Sequence, residues 1–326
     1  MSLDSPSGGV TCTTSGMSVG LPNLIIPGVQ KSGTSSLHAY LAVHPQCVMS
    51  SPKEPNFFTA NWSKYDVQSY LDCLAPTAQK EDVRIVGEAS TSYFSHPSAP
   101  ARIQQVLGPE TRILVLLRNP IERAVSAYWH MAKRFAERRS LDNVVLGLPS
   151  ELSSAVLAED DRLRAAQQFG LIDTQLSVDS IGQKFWNFQY IRNSAYLINL
   201  KRFVSVFGRD RVHVVLAEEL DARPADTLGS IAVFLGISPQ GFATRYRLNA
   251  TRIPRSGRGV QTVHKLVRRL PGGPLRRMRH RLLALTTCSP PVTCPAVRMH
   301  LERLFSQHNA QLSEYLARDL SIWNAT

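Results

Sequence analysis

The residues best suited to chemistry lie in one short stretch, "PGVQKSGTSSL" at 27–37. Gly28 and Gly33 have the G-x-x-x-x-G spacing of a phosphate-binding loop, yet Thr34 follows where that loop has its lysine. The cation present is Lys31, inside the loop. A glycine loop between a strand and a helix converges backbone N–H groups on an anion, and the helix dipole assists. Ser32, Thr34, Ser35 and Ser36 add hydroxyls. A second candidate is Arg118, in Arg118-Asn119-Pro120 directly after "RILVLL" at 112–117. ATP-hydrolysing loops place a metal-holding Asp after such a strand. A cation there suits a second phosphate instead of Mg²⁺. The pattern predicts a ligand with phosphates at both ends of a nucleoside, bound without metal.

The flanking elements fit that task. "NLIIPG" at 23–28 is a buried-strand pattern, and Leu37, Tyr40 and Leu41 give the next helix one apolar face before Pro45 stops it. "VRIVGE" (83–88), "RILVLL" (112–117) and "RVHVVL" (211–216) read as further strands. After Arg112, "RILVLL" is apolar throughout, as in a parallel sheet covered on both faces. Helices are predicted over 121–137, from an Asp226 cap to a Gly236 stop, and over 297–318. Strands alternating with helices give a single α/β domain over 21–326, with a central parallel sheet and helices on both faces. Residues 1–20 read as a disordered lead-in, 140–190 as an acceptor-side insertion, and 260–295 as a basic segment.

Composition sets outer bounds. Of 326 residues, 43% are apolar and 19% charged, normal for a chain with a real core. No apolar run reaches membrane-spanning length, and no secretory leader pattern opens the chain, so a cytoplasmic location is expected. Cysteines stand at 12, 47, 73, 288 and 294. Their odd count and spread argue against a disulfide framework, although Cys288 and Cys294 are near enough in sequence to bridge a small loop. The net charge of +12 suggests an anionic partner.

The quoted motifs carry a resemblance. "PGVQKSGTSSL" resembles the 5′-phosphosulfate loop of the sulfotransferases, and "LVLLRNPIERAVSAYWH" (114–130) is similar to their R-[DN]-P-x-x-R-x-x-S-x-[YF] motif for the 3′-phosphate. The co-substrate implied is 3′-phosphoadenosine 5′-phosphosulfate (PAPS). The resemblance assigns Lys31, Ser32, Gly33, Thr34 and Ser35 to its 5′ end, and Arg118 and Ser126 to its 3′-phosphate. "RIPRSGRG" (252–259) sits where the family has a late basic loop over the donor, which points to Arg255 and Ser256. A solvated basic turn is the competing view.

The acceptor hydroxyl needs a base. "SPKEPNFF" (51–58) resembles the K-E-x-x-F-F segment of the carbohydrate, heparan-sulfate-like branch, whose glutamate is the base; here that is Glu54. Its alternative is a surface carboxylate paired with Lys53. His44 and His96 are the rival bases, because cytosolic aryl and steroid members use histidine. "GEASTSYF" (87–94) is similar to G-E-K-[ST]-P-x-Y-F, with Ala89 where lysine is common. That departure weakens the case for a heparan acceptor. Glu88 is expected either to orient acceptor or Lys31, or to serve structure. The acceptor class is a hydroxyl-bearing glycan, glycolipid or other small molecule, with an amine less favoured.

Two other classes were weighed. A small-molecule P-loop kinase lacks support from the missing lysine and Asp. A non-enzymatic nucleotide or nucleic-acid binder would use the basic segment, but the aromatic–basic interleaving of single-strand binders is absent. Between Lys265 and Arg281 lie seven Lys or Arg and no acid. In "KLVRRLPGGPLRRMRHRLL" arginine pairs alternate with leucines, as in two short amphipathic helices at an anionic acceptor or a membrane surface; an ordinary solvated helix face is the alternative. If the run meets an anionic surface, the protein will bind anionic vesicles above neutral ones, and the excess will fade with salt. Equal co-sedimentation with both at low salt would remove that role.

Overall fold

The computed structural model describes residues 21–64, 66–72, 82–174, 185–242, 253–254 and 287–324, and the backbone of 12–14 and 17–19. The expected Arg255, Ser256 and 265–281 lie outside the described residues.

Five strands form the central sheet: β1 Leu24–Ile26, β2 Cys47–Met49, β3 Ile85–Ala89, β4 Arg112–Leu117 and β5 Val212–Leu216. The order is β2-β3-β1-β4-β5, parallel throughout. Leu24 stands opposite Gly87 on one side and Arg112 on the other. The helices are α1 Thr34–Val43, α2 Val67–Asp72, α3 Ala99–Leu107, α4 Pro120–Ala132, α5 Leu141–Val145, α6 Leu152–Gln168, α7 Tyr196–Phe207, α8 Ala217–Ala222, α9 Pro224–Leu235 and α10 Pro295–Leu316.

Period-2 alternation divides each strand between two layers. Leu24, Ile26, Leu114 and Leu116 meet Leu37 and Leu41 of α1 and Ile231 and Leu235 of α9. Ile25, Ile113, Val115 and Leu117 meet Ile103 of α3, Phe203 of α7 and Leu312 of α10. Helices therefore cover both faces, which is why β4 is apolar at every position from Ile113 to Leu117. A third core joins α4, α5, α6, α10 and residues 185–191. The stretch 140–190 is thus more regular than its sequence suggests; α6 alone is 17 residues long.

Several boundaries differ from expectation. Cys12–Thr14 and Met17–Val19 pair antiparallel inside the predicted lead-in; β-branched residues flanking Ser15-Gly16 are a hairpin signal that the bulk composition hid. The three-residue edge strand β2 was too short to announce itself. The helix predicted over 121–137 ends at Ala132, with Phe135 at φ 61°. The one starting near Asp226 begins at Pro224, whose fixed φ suits a first helical position, so Asp226 lies within the first turn and is not the cap. Gly236 ends it in the left-handed conformation, as expected. Among the described cysteines, Cys47, Cys288 and Cys294 form no disulfide. No described helix is long and apolar enough to cross a membrane.

His44 follows α1 and is fully buried. Its Nδ1 accepts from the Gln46 N–H at 3.1 Å, which leaves the proton on Nε2, 3.0 and 3.1 Å from the carbonyl oxygens of Ser238 and Gln240. The ring is spent on joining α1 to the end of α9, so His44 is not available as a base. His44→Phe should fill the space and cost about 1–3 kcal/mol, because the Gln46 N–H and two carbonyls lose their partner. Urea unfolding would measure it, and wild-type stability would contradict the rivet.

Candidate active site

The loop after β1 and the turn after β4 meet at the carboxyl ends of neighbouring strands. Val29 N–H donates to Leu116 O, and Leu116 N–H to Gly28 O, both at 2.9 Å, so the loop continues the β1–β4 pairing. A Cβ on Gly28 would lie 2.9 Å from Phe94 Cβ, too close for any larger residue. Gly33, at φ 98°, opens α1 in a conformation that glycine holds without strain. No side chain caps α1 and no acid stands in its first turn, so the positive end of the helix faces the loop.

The expected phosphate-loop residues come together here. Lys31 has φ 74°, and its carbonyl oxygen accepts from Arg118 Nη1 at 3.2 Å, which ties the two candidate phosphate sites together. Burial lowers the Lys31 pKa to about 8, and Lys133, Arg118, Arg123 and Arg134 push it the same way. Ser32 is buried, and its Oγ has no partner among the described residues. Thr34 is buried and Ser35 half-buried on the first turn of α1. A crowd of cations, an uncapped helix start and an orphaned hydroxyl fit a bound oxyanion. Among the described residues no group of three or more His, Cys, Asp or Glu side chains is placed to hold a metal ion.

Arg118 and Ser126 line one cavity of about 330 Å³, together with Glu122, Val125, Trp129, Pro290–Thr293 and Arg298. Asn119 caps α4 by accepting from Ile121 N–H at 3.0 Å, and its Nδ2 donates to Trp323 O at 2.7 Å. The turn bearing Arg118 is thereby fixed to the C-terminal segment. Arg123 is buried. Its Nε donates to Gln30 O at 3.1 Å, and its Nη1 donates to Tyr190 O at 3.0 Å and Ser194 Oγ at 3.1 Å. Gln30 also donates to Asn187 Oδ1 at 2.9 Å.

Glu54 lies on a separate loop, at φ 65°. Its carboxylate takes Lys53 Nζ at 2.6 Å and Thr91 Oγ1 at 3.2 Å, and its side chain stays 38% exposed, open to an incoming molecule. The loop is fastened to the segment after β3: Asn56 N–H donates to Ser90 Oγ at 3.0 Å, and Ser92 Oγ to Asn56 Oδ1 at 2.7 Å. Beneath it Glu88 is fully buried, with its pKa raised to about 7 by burial. Ser90 donates to it at 2.7 Å and Tyr70 at 3.2 Å. Glu88 thus braces the loop from below. His96 is pushed down to about 4 by burial and by Arg102, and its Nδ1 accepts from Ser98 N–H at 3.2 Å. It is a weak base near neutral pH and is occupied in its own turn.

Several contributors were not singled out from sequence: Arg123, Lys133, Arg134, Thr91, Asn187 and Arg298. The second arginine of the R-x-x-x-x-R spacing signalled the first, and the hydroxyl run at 90–92 signalled Thr91. Lys133 and Arg134 follow directly at the end of α4, and Asn187 and Arg298 reach the site from distant parts of the chain.

A family model for the sulfotransferase domain matches residues 21–253. Human heparan sulfate glucosamine 3-O-sulfotransferase 3B1 is 30% identical over 234 residues, covering 72% of this chain and 51% of that protein. Human bifunctional heparan sulfate N-deacetylase/N-sulfotransferase 2 is 27% identical over 224 residues, covering 67% of this chain and 22% of that protein. The chain therefore spans about half, or less, of these relatives' lengths. The crystal structure of a sulfotransferase from Alicyclobacillus acidocaldarius shares the fold, at TM-score 0.64 and 24% identity, over 94% of this chain and 100% of that one.

An anion beside Lys31 will restore its proton, because an opposite charge favours the charged amine. Binding of adenosine 3′,5′-bisphosphate at pH 8 should take up about half a proton per site, less at pH 7, and none in Lys31→Met. Calorimetry in buffers of different ionisation enthalpy reads this directly. An uptake that survives in Lys31→Met would place the titrating group elsewhere.

Proposed function

Because the chain belongs to the sulfotransferase domain family, we propose that it transfers a sulfuryl group from PAPS to a hydroxyl of a glycan-like acceptor, with Glu54 as general base. The observation that carries this reading is the Arg118–Lys31 contact at 3.2 Å, which sets one cation for each end of a doubly phosphorylated nucleotide in a fixed relation. The family supplies the donor class. The name of the 3-O-sulfotransferase relative favours a sugar hydroxyl, that of the N-sulfotransferase relative keeps a sugar amine as the second acceptor class, and the segment around Lys53 and Glu54 resembles the heparan sulfate branch.

Each residue then has a task. Arg118 and Ser126 hold the 3′-phosphate in their shared cavity and so position the sulfur from its remote end. Lys31 and the N–H groups at the start of α1 stabilise the charge that gathers on the 5′-phosphate as its bond to sulfur breaks. Glu54, held in orientation by Lys53 and Thr91, takes the hydroxyl proton as the new S–O bond forms. Adenosine 3′,5′-bisphosphate leaves. A sulfuryl group carries less negative charge than a phosphoryl group, so fixed protein cations suffice and no metal is required.

The test uses PAPS labelled in its sulfuryl group and a panel of desulfated glycans in excess EDTA. Wild-type protein should move label to at least one acceptor, and none should move from γ-labelled ATP with magnesium. Glu54→Gln should lower turnover by about 10²–10⁴ while PAPS binding stays nearly unchanged. Transfer that needs Mg²⁺, or label arriving from ATP, would favour a kinase. Full turnover in Glu54→Gln would remove the base assignment.

A further inference from the structure

The cavity beside Arg118 is closed by the C-terminal part of the chain. Pro290 to Thr293 and Arg298 of α10 line it, and all lie beyond the 21–253 stretch that matches the family. Within it stands Glu122, one helical turn after Arg118. A carboxylate is the wrong charge for a phosphate site, so its partners matter. Glu122 Oε2 is 3.8 Å from Arg118 Nη2, and Glu122 Oε1 is 3.3 Å from Arg298 Nη1. Arg298 Nε also donates to Glu302 Oε1 at 3.1 Å. Two guanidiniums thus face one carboxylate inside a cavity that also presents Ser126.

We infer that Arg298 is a second guanidinium ligand for the donor's 3′-phosphate, and that Glu122 holds the Arg118–Arg298 pair in place until the phosphate takes its position between them. The inference rests on the proposed donor. A phosphate dianion offers three acceptor oxygens, enough for two guanidinium forks, and arginine matches that geometry better than lysine. The element that delivers Arg298 is rigid, because Val297, Leu301 and Leu304 of α10 are buried. An ion pair that merely fastened α10 to α4 would add little at this exposure, and it would not need to line the cavity. The carboxylate neutralises one arginine in the empty site and repels the phosphate as it arrives. Its removal should therefore help binding, whereas a purely structural pair would lose by it.

Calorimetry with adenosine 3′,5′-bisphosphate and adenosine 5′-phosphate separates these views. Arg298→Met, which keeps the stem length, should weaken the bisphosphate roughly tenfold or more and the monophosphate less than twofold. Arg298→Lys should recover part of the loss. Glu122→Gln should bind the bisphosphate as tightly as wild type or tighter at low salt. Arg118→Met calibrates the site. If it discriminates between the two ligands and Arg298→Met does not, this inference fails and the donor reading stands. If wild type itself does not prefer the bisphosphate, the donor reading fails and takes this one with it. A selective loss in Glu122→Gln as large as that in Arg298→Met would show that the pair only shapes the cavity. Thermal unfolding of each variant, read beside the titrations, separates ligand contact from loss of fold.

Discussion

The site depends on one buried cation. Arg123 lies in the interior, where burial works against its charge, and it is held by oxygens of three residues in two separate segments: Gln30 in the loop after β1, then Tyr190 and Ser194 in the segment before α7. Removing a buried guanidinium's partners is costly, so each of these segments is constrained by the others. The loop cannot shift without stranding Arg123, and α4 cannot rotate without pulling the loop. The segment at 185–194 is fixed in turn by Glu159 of α6. This buried carboxylate accepts from Ile191 and Arg192 N–H at 2.8 and 3.0 Å. Described parts of 140–190, the stretch expected as an acceptor-side insertion, therefore also support the loop after β1.

That scaffold lets positive charge accumulate. Burial lowers the Lys31 pKa, and repulsion from Lys133, Arg118, Arg123 and Arg134 adds to the shift. A surface cluster would disperse by rotating its side chains, but here the backbone pairing of Gly28 and Val29 with Leu116 fixes the loop. The sheet order places this crowd well. The connections from β1 and β4 leave toward opposite edges, and ligands of open parallel sheets bind where the strand order reverses. Part of that repulsion is relieved when Lys31 gives up its proton, and an anion beside the cluster would relieve it with the proton kept.

Much of this was legible in the sequence because its signals are local. The apolar runs at 24–26, 85–86 and 113–117 announce a covered parallel sheet, and the glycine loop between strand and helix, with Lys31 and its hydroxyls, points to an anion. What stayed hidden depends on contacts between distant residues. Arg123 was visible within its motif, but nothing nearby reveals that its partners are 67 and 71 residues away. His44 looked like a possible base until Ser238 and Gln240 appeared around its ring. Thr91 became a partner of Glu54 only because Ser90 and Ser92 bring the two loops together, and short β2 carried too few residues for a period to be read.

The two halves of the site differ in rigidity. The phosphate side rests on backbone pairing, a buried arginine and the cap at Asn119. The Glu54 side rests on hydroxyls, Ser90, Thr91 and Ser92, bonded to a loop whose carboxylate remains partly exposed. That exposure suits the proposed base, which would meet an acceptor arriving from solvent. Ala89 extends the contrast. It is fully buried at the end of β3, so that strand end carries no cation toward the Glu54 loop. Lys53 beside Glu54 is the cation that loop itself supplies, whereas Lys31 sits on a loop whose backbone is paired to Leu116.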